Sequence, residues 1–295
     1  MLTMRYPYRG REEGDVDTGR QAHGGSGGMW DTGEAARNWQ QGAAGREQVF
    51  GAATQRVLDL AGVGTGMRVL DIAAGTGDQS FLASRLVGPA GTVLATDISA
   101  SMLALAAVQA RERGLTNIET RVADAQQLDV PDGSFDAAIS RFGLMFMPDL
   151  HGTLARIGRA LRPGGRLAAM VWSTPERNPL FALPLALART HAATTPPGPD
   201  LFGLGDPRVL HDAFVHAGFS VVAVEAFALE FRAPSIAAFV AGRQGAVGPL
   251  SNLLATLDDE EQARLRAEVT AALQPFEGPE GLVAPGEALI AVGTR

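Results

Sequence analysis

From residue 67 onward, short runs of hydrophobic residues alternate with longer stretches in which hydrophobic residues recur at helical spacing. The short runs are typical of buried strands, and the longer stretches are typical of helices. The predicted strands are residues 68–72, 92–96, 118–122, 135–140 and 165–172. Because helix-length segments separate them, the connections should be right-handed crossovers between parallel strands. The pattern therefore predicts an open α/β sheet.

The last third of the chain has a different pattern. Hydrophobic residues alternate with other residues over 222–231, which predicts a strand, and a final short strand is predicted at 288–292. Helical segments lie between the two, and the clearest begins at Asp258, where Glu261 completes a capping-box pattern. We therefore expect a helical insertion at 233–286, acting as a lid or a dimer surface, and the last strand of the core at 287–295.

Two segments precede the predicted sheet. Residues 1–29 mix Gly with Arg, Glu and Asp without periodicity, a composition typical of a disordered tail. Residues 30–66 show helical spacing that ends at Gly62 and Gly64, so we expect two short helices that cover the core. The core itself, which should bind the ligand, is then expected at 67–232.

Composition narrows the possible functions. The 295 residues are 46% hydrophobic and carry a formal net charge of -7, which suits a large α/β domain and argues against nucleic-acid binding. The absence of cysteine excludes disulfides, thiolate metal sites and a cysteine nucleophile. We expect no metal, because no His and acidic residues have a ligand spacing such as His-Glu-x-x-His. Without an apolar run of membrane-spanning length or a signal-peptide core, the sequence predicts a cytoplasmic protein with no membrane span.

The first predicted strand runs directly into a glycine-rich turn, Ala73-Ala74-Gly75-Thr76-Gly77, that opens a helix. Glycine lets a ligand approach the backbone closely, because it has no β-carbon. Asp97 ends the next predicted strand, 20 positions after Gly77, where an acidic side chain typically accepts hydrogen bonds from ribose hydroxyls. The strand, the turn and the acid together predict a ligand that contains adenosine.

Two classes of adenosine ligand fit this pattern. A dinucleotide would place its diphosphate at the start of the helix, close to Asp71 and Asp78, and its motif has a third glycine where this chain has Ser80. S-adenosylmethionine has no phosphate and carries cationic ammonium and sulfonium groups, which suit nearby carboxylates. The charge pattern therefore favours S-adenosylmethionine.

Residues 68–172 resemble the class I S-adenosylmethionine-dependent methyltransferases, particularly the subfamily of ubiquinone and menaquinone biosynthesis methyltransferases. In the glycine motif, Ala73 stands where the family has its first glycine. The resemblance implies a Rossmann-like, seven-stranded methyltransferase sheet with the N-terminal helical cover and the helical insertion before the last strand. It also implies S-adenosyl-L-methionine as the cofactor, and its predicted contacts are Asp71, Ala73, Gly75, Thr76, Gly77, Asp97, Ile98, Met102, Asp124, Ala125 and Arg141.

Four residues are candidates for binding the methyl acceptor. Phe142 and Met145 follow the fourth predicted strand, on the side of an open sheet where ligands bind. Trp30 and Trp39 could close over the bound molecules, or could instead staple a terminal helix to the domain, and the sequence favours neither alternative.

Two catalytic hypotheses stay open at this point. His151 follows the fourth predicted strand and could accept a proton from the acceptor as a general base. Alternatively, an acceptor that arrives ionised needs no base, and Arg141 would stabilise its oxyanion. We favour positioning of the reactants over base catalysis, because no carboxylate is placed in the sequence to orient His151.

The sequence thus predicts a methyltransferase that uses S-adenosylmethionine to modify a small, mostly apolar organic acceptor at oxygen, carbon or nitrogen. The alternatives are a non-catalytic S-adenosylmethionine-binding or partner-interaction protein and an NAD(P)-dependent oxidoreductase. We expect a small-molecule acceptor and no nucleic-acid partner, with a homodimer as one candidate assembly.

Overall fold

A central mixed sheet organises the fold, as a computed structural model shows for residues 31–192, 199–242 and 249–295. The expected tail at 1–29, and Trp30, lie outside these described residues. The strands are β1 (Arg68–Ile72), β2 (Thr92–Asp97), β3 (Ile118–Val122), β4 (Phe135–Arg141), β5 (Leu161–Trp172), β6 (Ser220–Ala233), β7 (Glu277–Gly278) and β8 (Gly281–Thr294).

The strand order is β3-β2-β1-β4-β5-β8-β6, with the two-residue β7 paired to β8 beside this path. β1 to β5 are parallel, and β8 lies antiparallel between β5 and β6. The predicted seven-stranded, Rossmann-like methyltransferase sheet is confirmed. After β3 the chain returns to the other side of β1, so the connections that leave β1 and β4 run in opposite directions and a crevice forms at the carboxyl ends of these strands.

Helices surround this sheet and also form the insertion before β8. The helices are α1 (Gly33–Gln41), α2 (Ala43–Ala61), α3 (Asp78–Val87), α4 (Ala100–Glu112), α5 (Leu150–Ala160), α6 (Pro179–His191), α7 (Pro207–His216), α8 (Ile236–Gly242), α9 (Pro249–Leu254) and α10 (Asp259–Leu273). Asp258 and Glu261 form the predicted capping box at the start of α10. Among the described residues, no helix is long and apolar enough to cross a membrane.

The hydrophobic residues form two main buried clusters. The larger one surrounds the central strands, where Val69, Leu70 and Ile72 of β1 are fully buried. The second cluster joins α6 to the insertion helices, for example through Leu185 and Leu265. The insertion therefore packs around a separate buried cluster, to which α6 and the first part of β8 also contribute.

The last core strand is longer than the sequence predicts. We expected it to begin at residue 287, but β8 begins at Gly281. Pro285 lacks the N–H that a strand needs, and for that reason its neighbourhood reads as a loop in the sequence. In the structure, Pro285 pairs with Glu230 of β6, whereas the pairing of β8 with β5 extends only as far as Ala288. Proline is tolerated there because β5 does not pair with that part of β8.

Candidate functional site

A cavity of about 1050 Å³ lies at the carboxyl ends of the parallel strands. Its wall includes residues that directly follow or end β1, β2, β3, β4 and β5, together with residues of α1, α2, α6, β6 and α9. An open α/β sheet binds its ligands in this position, because the connections on either side of the strand-order reversal run in opposite directions. Most of the candidate residues from the sequence lie on or next to this wall.

The turn between β1 and α3 forms one side of the cavity. Gly75 has a φ of 56°, and a β-carbon added there would meet only the indole nitrogen of Trp39, at 3.7 Å. Gly75 therefore presents bare backbone to the cavity. Ala73 also has a positive φ, 56°, in the left-handed region that glycine adopts without strain. This geometry explains why the position that Ala73 occupies carries glycine in the family motif.

Gly77, another predicted cofactor contact, is packed tightly against α3. Its φ is 89°, and a β-carbon there would lie 2.7 Å from the Phe81 ring. The close approach is thus to a side chain of α3, and Gly77 does not line the cavity. It is a packing glycine that allows α3 to begin directly after the turn.

Asp71 and Thr76 also lie behind the cavity wall instead of on it. Asp71 is fully buried and accepts hydrogen bonds from Gln79 Nε2 and Ser80 Oγ. Burial raises the pKa of Asp71 to about 7, although these hydrogen bonds and the charge of Arg141 oppose the shift. Thr76 is 1% exposed and accepts a hydrogen bond from Arg46 Nη2 at 3.3 Å. Both residues stabilise the turn from within, so direct contact with a ligand, as the sequence predicted, does not follow from the structure.

Asp97 lies at the end of β2, on the cavity wall. Its Oδ2 accepts the Gly75 N–H at 2.8 Å, and its Oδ1 accepts the Ser99 N–H at 2.9 Å. Burial raises the pKa of Asp97, and these backbone hydrogen bonds oppose that shift. The two donors fix the carboxylate plane, while each oxygen keeps a lone pair for a further donor.

Four other predicted residues line the same side of the cavity. Ile98 is 41% exposed, whereas Met102, one turn into α4, is only 2% exposed. After β3, the Asp124 side chain accepts the Gln126 N–H at 2.9 Å, and Ala125 beside it is buried. These residues form a mixed apolar and polar slot next to Asp97.

Two arginines share one carboxylate at the other end of the turn. Asp78 Oδ2 lies 2.9 Å from Arg46 Nε and 3.0 Å from Arg141 Nη2. Burial opposes ionisation of Asp78, but the two guanidinium groups outweigh it and lower its pKa. The cluster therefore carries one surplus positive charge, and both arginines line the cavity. This corrects our electrostatic argument against a diphosphate, since Asp78 does not present a free negative charge.

Arg46 is a functional candidate that the sequence analysis missed. It lies on α2, far along the chain from the glycine turn, and no motif marks it. Its guanidinium stacks on the Trp39 ring at 4.5 Å, while Trp39 itself lies near Gly75. Trp39 therefore covers the turn and helps to hold Arg46 in place, which combines both alternatives that the sequence left open for it.

A second part of the wall, which we call the aromatic side, consists of five aromatic residues. Phe142 stacks on Trp172 with ring centroids 4.2 Å apart, and Phe181 lies 4.5 Å from Trp172. Phe50 and Phe231 pack edge-on against this group, at 5.2 Å from Phe142 and 5.3 Å from Phe181 respectively. Phe142 has a φ of 57°, so its backbone is held in the left-handed region. Backbone strain of this kind is often found at functional sites.

Of the aromatic group, only Phe142 was predicted. The other four come from α2, β5, α6 and β6, so only the folded chain brings them together. Trp172 ends a predicted strand on the ligand side, and Phe231 belongs to the alternating pattern of β6, so two weak signals were present in the sequence. Met145, also predicted, is buried and lines the cavity beside Phe142.

His151 does not reach the cavity. It is exposed on the first turn of α5, whose N-cap Asp149 accepts the Gly152 N–H at 2.9 Å. It is not among the residues of the cavity wall, so its role as a general base stays a prediction without support from the cavity. Among the described residues of the wall, the ionisable groups are Arg46, Asp97, Asp124, Arg141, Glu230 and Arg232. In the part of the chain that the structure describes, no cluster of His, Asp or Glu is arranged to hold a metal ion.

The chain is similar to known methyltransferases. The sequence model of the ubiE/COQ5 methyltransferase family matches residues 50–187. The ubiquinone/menaquinone biosynthesis C-methyltransferase UbiE of Hahella chejuensis is 46% identical over 126 residues, which make up 42% of this chain and 50% of that protein. The chain therefore spans about half the length of this relative.

A second relative is matched over more of its length. Nocamycin O-methyltransferase of Saccharothrix syringae is 35% identical over 205 residues, 65% of this chain and 73% of that protein. Among solved structures, the YcgJ protein of Bacillus subtilis has a TM-score of 0.59 at 18% identity, covering 83% of this chain and 98% of that one. At this identity the structural likeness concerns the fold alone.

Proposed function

Since this chain belongs to the S-adenosylmethionine-dependent methyltransferases related to the ubiE/COQ5 family, we propose that it methylates a small, mostly apolar organic acceptor. The observation that carries this proposal is the two-sided cavity, with a polar turn on one side and an aromatic group on the other. Its volume of about 1050 Å³ lies at the upper end of the range for ligand pockets, which suits a cofactor and an acceptor together.

The polar side fits the adenosine part of S-adenosylmethionine. The Asp97 carboxylate, already oriented by two backbone N–H groups, would accept hydrogen bonds from the ribose hydroxyls. Gly75 leaves room for the cofactor at the backbone, while Ile98 and Met102 would flank the adenine ring. Asp124 and Ala125 would border the edge of that ring.

The surplus charge beside the turn fits the carboxylate of the same cofactor. Arg46 and Arg141 share the single negative charge of Asp78, so the cluster keeps one positive charge that a further anion can neutralise. The side chain of Arg141 is only 9% exposed, which strengthens its field in the cavity. We assign Arg46 and Arg141 to this role, and Arg141 also lies at the end of β4, next to the aromatic side.

The aromatic side fits a planar, mostly apolar acceptor. Phe142, Trp172 and Phe181 offer ring faces and edges that pack well against conjugated molecules. Residues Leu250 and Leu254 of α9 also line this side, so we propose that the insertion acts as a lid over the acceptor. The homodimer and the cytoplasmic location that the sequence predicts stay predictions.

In the reaction, S-adenosylmethionine supplies an activated methyl group on a sulfonium that is already a good leaving group. The chain must align the acceptor with that methyl group and keep water away, and the aromatic rings are suited to both tasks. His151 is not among the wall residues, so we propose that the acceptor binds in its ionised form. The cofactor carboxylate would balance the surplus charge of the two arginines, so the cationic sulfonium would offset the charge of the acceptor, with Arg141 as a hydrogen-bond donor to it. Two relatives are named as a C- and an O-methyltransferase, so carbon and oxygen acceptors are both to be tested.

Calorimetric titration followed by a methyl-transfer assay tests this function. We expect S-adenosylmethionine to bind and NADH not to bind, and mass spectrometry to detect methylation of a member of a phenol, quinol and amine panel. Binding of NADH but not of S-adenosylmethionine would favour an oxidoreductase. Binding of S-adenosylmethionine without methyl transfer to any acceptor would favour a non-catalytic binding protein.

A further inference from the structure

The N-terminal cover, residues 31–61, is fastened to the core at two places on opposite sides of the glycine turn. At one place, Asp31 Oδ1 accepts the Ser101 N–H at 3.0 Å and the Ser99 hydroxyl at 3.2 Å. At the other, Arg46 pairs with Asp78 at 2.9 Å. Between the two lies α1, which carries Trp39 next to Gly75. The cover therefore spans the turn and is held to the core at both ends.

The contact of Asp31 is continuous with the contacts of Asp97. Ser99, whose hydroxyl donates to Asp31, also donates its backbone N–H to Asp97 Oδ1 at 2.9 Å. Ser99 is in addition the N-cap of α4, since its side chain accepts the Met102 N–H at 3.1 Å. Asp31 thus contacts the residue that orients the proposed ribose acid, without lining the cavity itself.

The negative charge of Asp31 is well placed for this contact. The backbone N–H of Ser101 lowers the pKa of Asp31, so its carboxylate is charged at neutral pH. It lies at the start of α4, where the helix dipole favours a negative charge. A charge-assisted hydrogen bond from a backbone N–H is among the stronger contacts that an exposed segment can make.

We propose that Asp31 is a positioning residue that holds the cover closed over the adenosine half of the cofactor and so slows the release of the cofactor. The proposal rests on the proposed function, because it requires that S-adenosylmethionine binds at the glycine turn. A bound cofactor would lie beneath Trp39 of α1, so the opening of either fastening would ease its release. The Arg46 fastening is part of the proposed binding site, whereas the Asp31 fastening acts only through Ser99 and the cover.

The test is the dissociation rate of S-adenosylhomocysteine, the reaction product, measured by stopped-flow displacement with excess S-adenosylmethionine. In Asp31→Ala, we expect dissociation to be roughly tenfold faster, the scale of a lost hydrogen bond to a charged group, with little change in the association rate. Asp31→Asn keeps a hydrogen-bond acceptor but loses the charge, so its dissociation rate should lie between those of Asp31→Ala and wild type. Neither change should alter the far-UV circular dichroism spectrum.

Asp206→Ala is the matched control. Asp206 caps α7 by accepting the Arg208 N–H at 2.8 Å, and α7 contributes no residue to the cavity wall. This variant loses a similar helix cap and should release S-adenosylhomocysteine at the wild-type rate. Equal dissociation rates for wild type, Asp31→Ala and Asp206→Ala would overturn the proposal.

A measurement on the wild-type chain keeps the test independent of the variants. Hydrogen exchange of the α1 amides should slow when S-adenosylhomocysteine is added, because a cover closed over a ligand opens less often. Unchanged exchange in α1 with a bound ligand would also overturn the proposal. If wild type binds neither S-adenosylmethionine nor its product, it is the proposed function that fails, and this result is distinct from the other two.

Discussion

The two sides of the cavity are built in different ways. The turn side comes from short segments that each follow a parallel strand, so Gly75, Asp97 and Asp124 occupy equivalent places in successive strand–helix units. The aromatic side combines single residues from α2, β5, α6 and β6, such as Phe50, Trp172 and Phe231. The comparison teaches that local chain geometry determines the proposed cofactor side, whereas tertiary packing determines the proposed acceptor side.

The division also corresponds to the two roles proposed for the cavity. A turn that is fixed by backbone hydrogen bonds and buried carboxylates suits a cofactor that does not change. The aromatic residues belong to separate elements, some of them beside the insertion, so they can be substituted without disturbing the turn. Changes on the turn side should therefore affect folding and cofactor affinity, and changes on the aromatic side should affect the acceptor alone.

The largest effect is expected at Gly77. In Gly77→Val, the new side chain would lie 2.7 Å from Phe81 at a φ of 89°, so overpacking and backbone strain should together lower the free energy of unfolding by about 4 kcal/mol. Gly75→Ala is the control on the same turn, with space for its β-carbon, and should lose only about 1 kcal/mol. Urea unfolding followed by circular dichroism measures both. Similar losses for the two variants would contradict the distinction between a packing glycine and a cavity glycine.

The next largest effect is expected at Asp97. Asp97→Ala should weaken the binding of S-adenosylmethionine by about 2 kcal/mol, the scale of hydrogen bonds to a charged group. Calorimetric titration measures the change, and Asp132→Ala, an exposed turn residue, is the control that should bind as wild type does. If Asp97→Ala retained wild-type affinity, the ribose would not be bound where we propose.

A smaller, pH-dependent effect is expected at Asp71. The folded state raises the pKa of Asp71 from 3.8 to about 7, so between these values it holds a proton that the unfolded chain has released. The free energy of unfolding should therefore fall as the pH rises towards 7, by up to about 1.4 kcal/mol per pH unit, and level off above 7. Asp71→Asn removes this contribution. Urea unfolding at about pH 5 and about pH 6.5 measures the difference, and identical pH slopes for wild type and variant would be inconsistent with it.

The smallest effect is expected on the aromatic side. Phe231→Ala should lower kcat/KM for an accepted substrate by roughly fivefold, about 1 kcal/mol, because one ring of the acceptor wall is lost. The affinity for S-adenosylmethionine should stay within twofold of wild type. His151→Gln is the control outside the cavity and should leave the methyl-transfer rate within several-fold of wild type. A loss of cofactor affinity in Phe231→Ala, or a large rate loss in His151→Gln, would break the division between the two sides.

The sequence predicts most of the sheet, but it misses the beginning of the last strand. Strands β1, β2 and β4 follow from their apolar runs to within a residue, because buried parallel strands are nearly continuous in hydrophobic residues. The start of β8 is missed because Pro285 reads as a loop, and only its pairing with β6 permits a strand there. A tertiary contact thus overrides a local signal.

The candidate site is likewise predictable only where local sequence determines it. The motif places Ala73, Gly75, Asp97 and Met102 on the cavity wall, but it cannot distinguish residues facing the ligand from those supporting the turn, such as Asp71. Arg46 carries no motif, because its role depends on α2 packing beside Asp78. Of the aromatic group, the local pattern predicts only Phe142, because tertiary packing brings the other four rings to it.

A crystal structure with bound S-adenosylhomocysteine tests the two-sided cavity most directly. We expect both ribose hydroxyls within hydrogen-bond distance of the Asp97 carboxylate, the ligand carboxylate at Arg46 and Arg141, and the sulfur directed towards Phe142 and Trp172. A ligand with its ribose away from Asp97, or with its sulfur facing away from the aromatic group, would contradict the assignment of one side to the cofactor and the other to the acceptor.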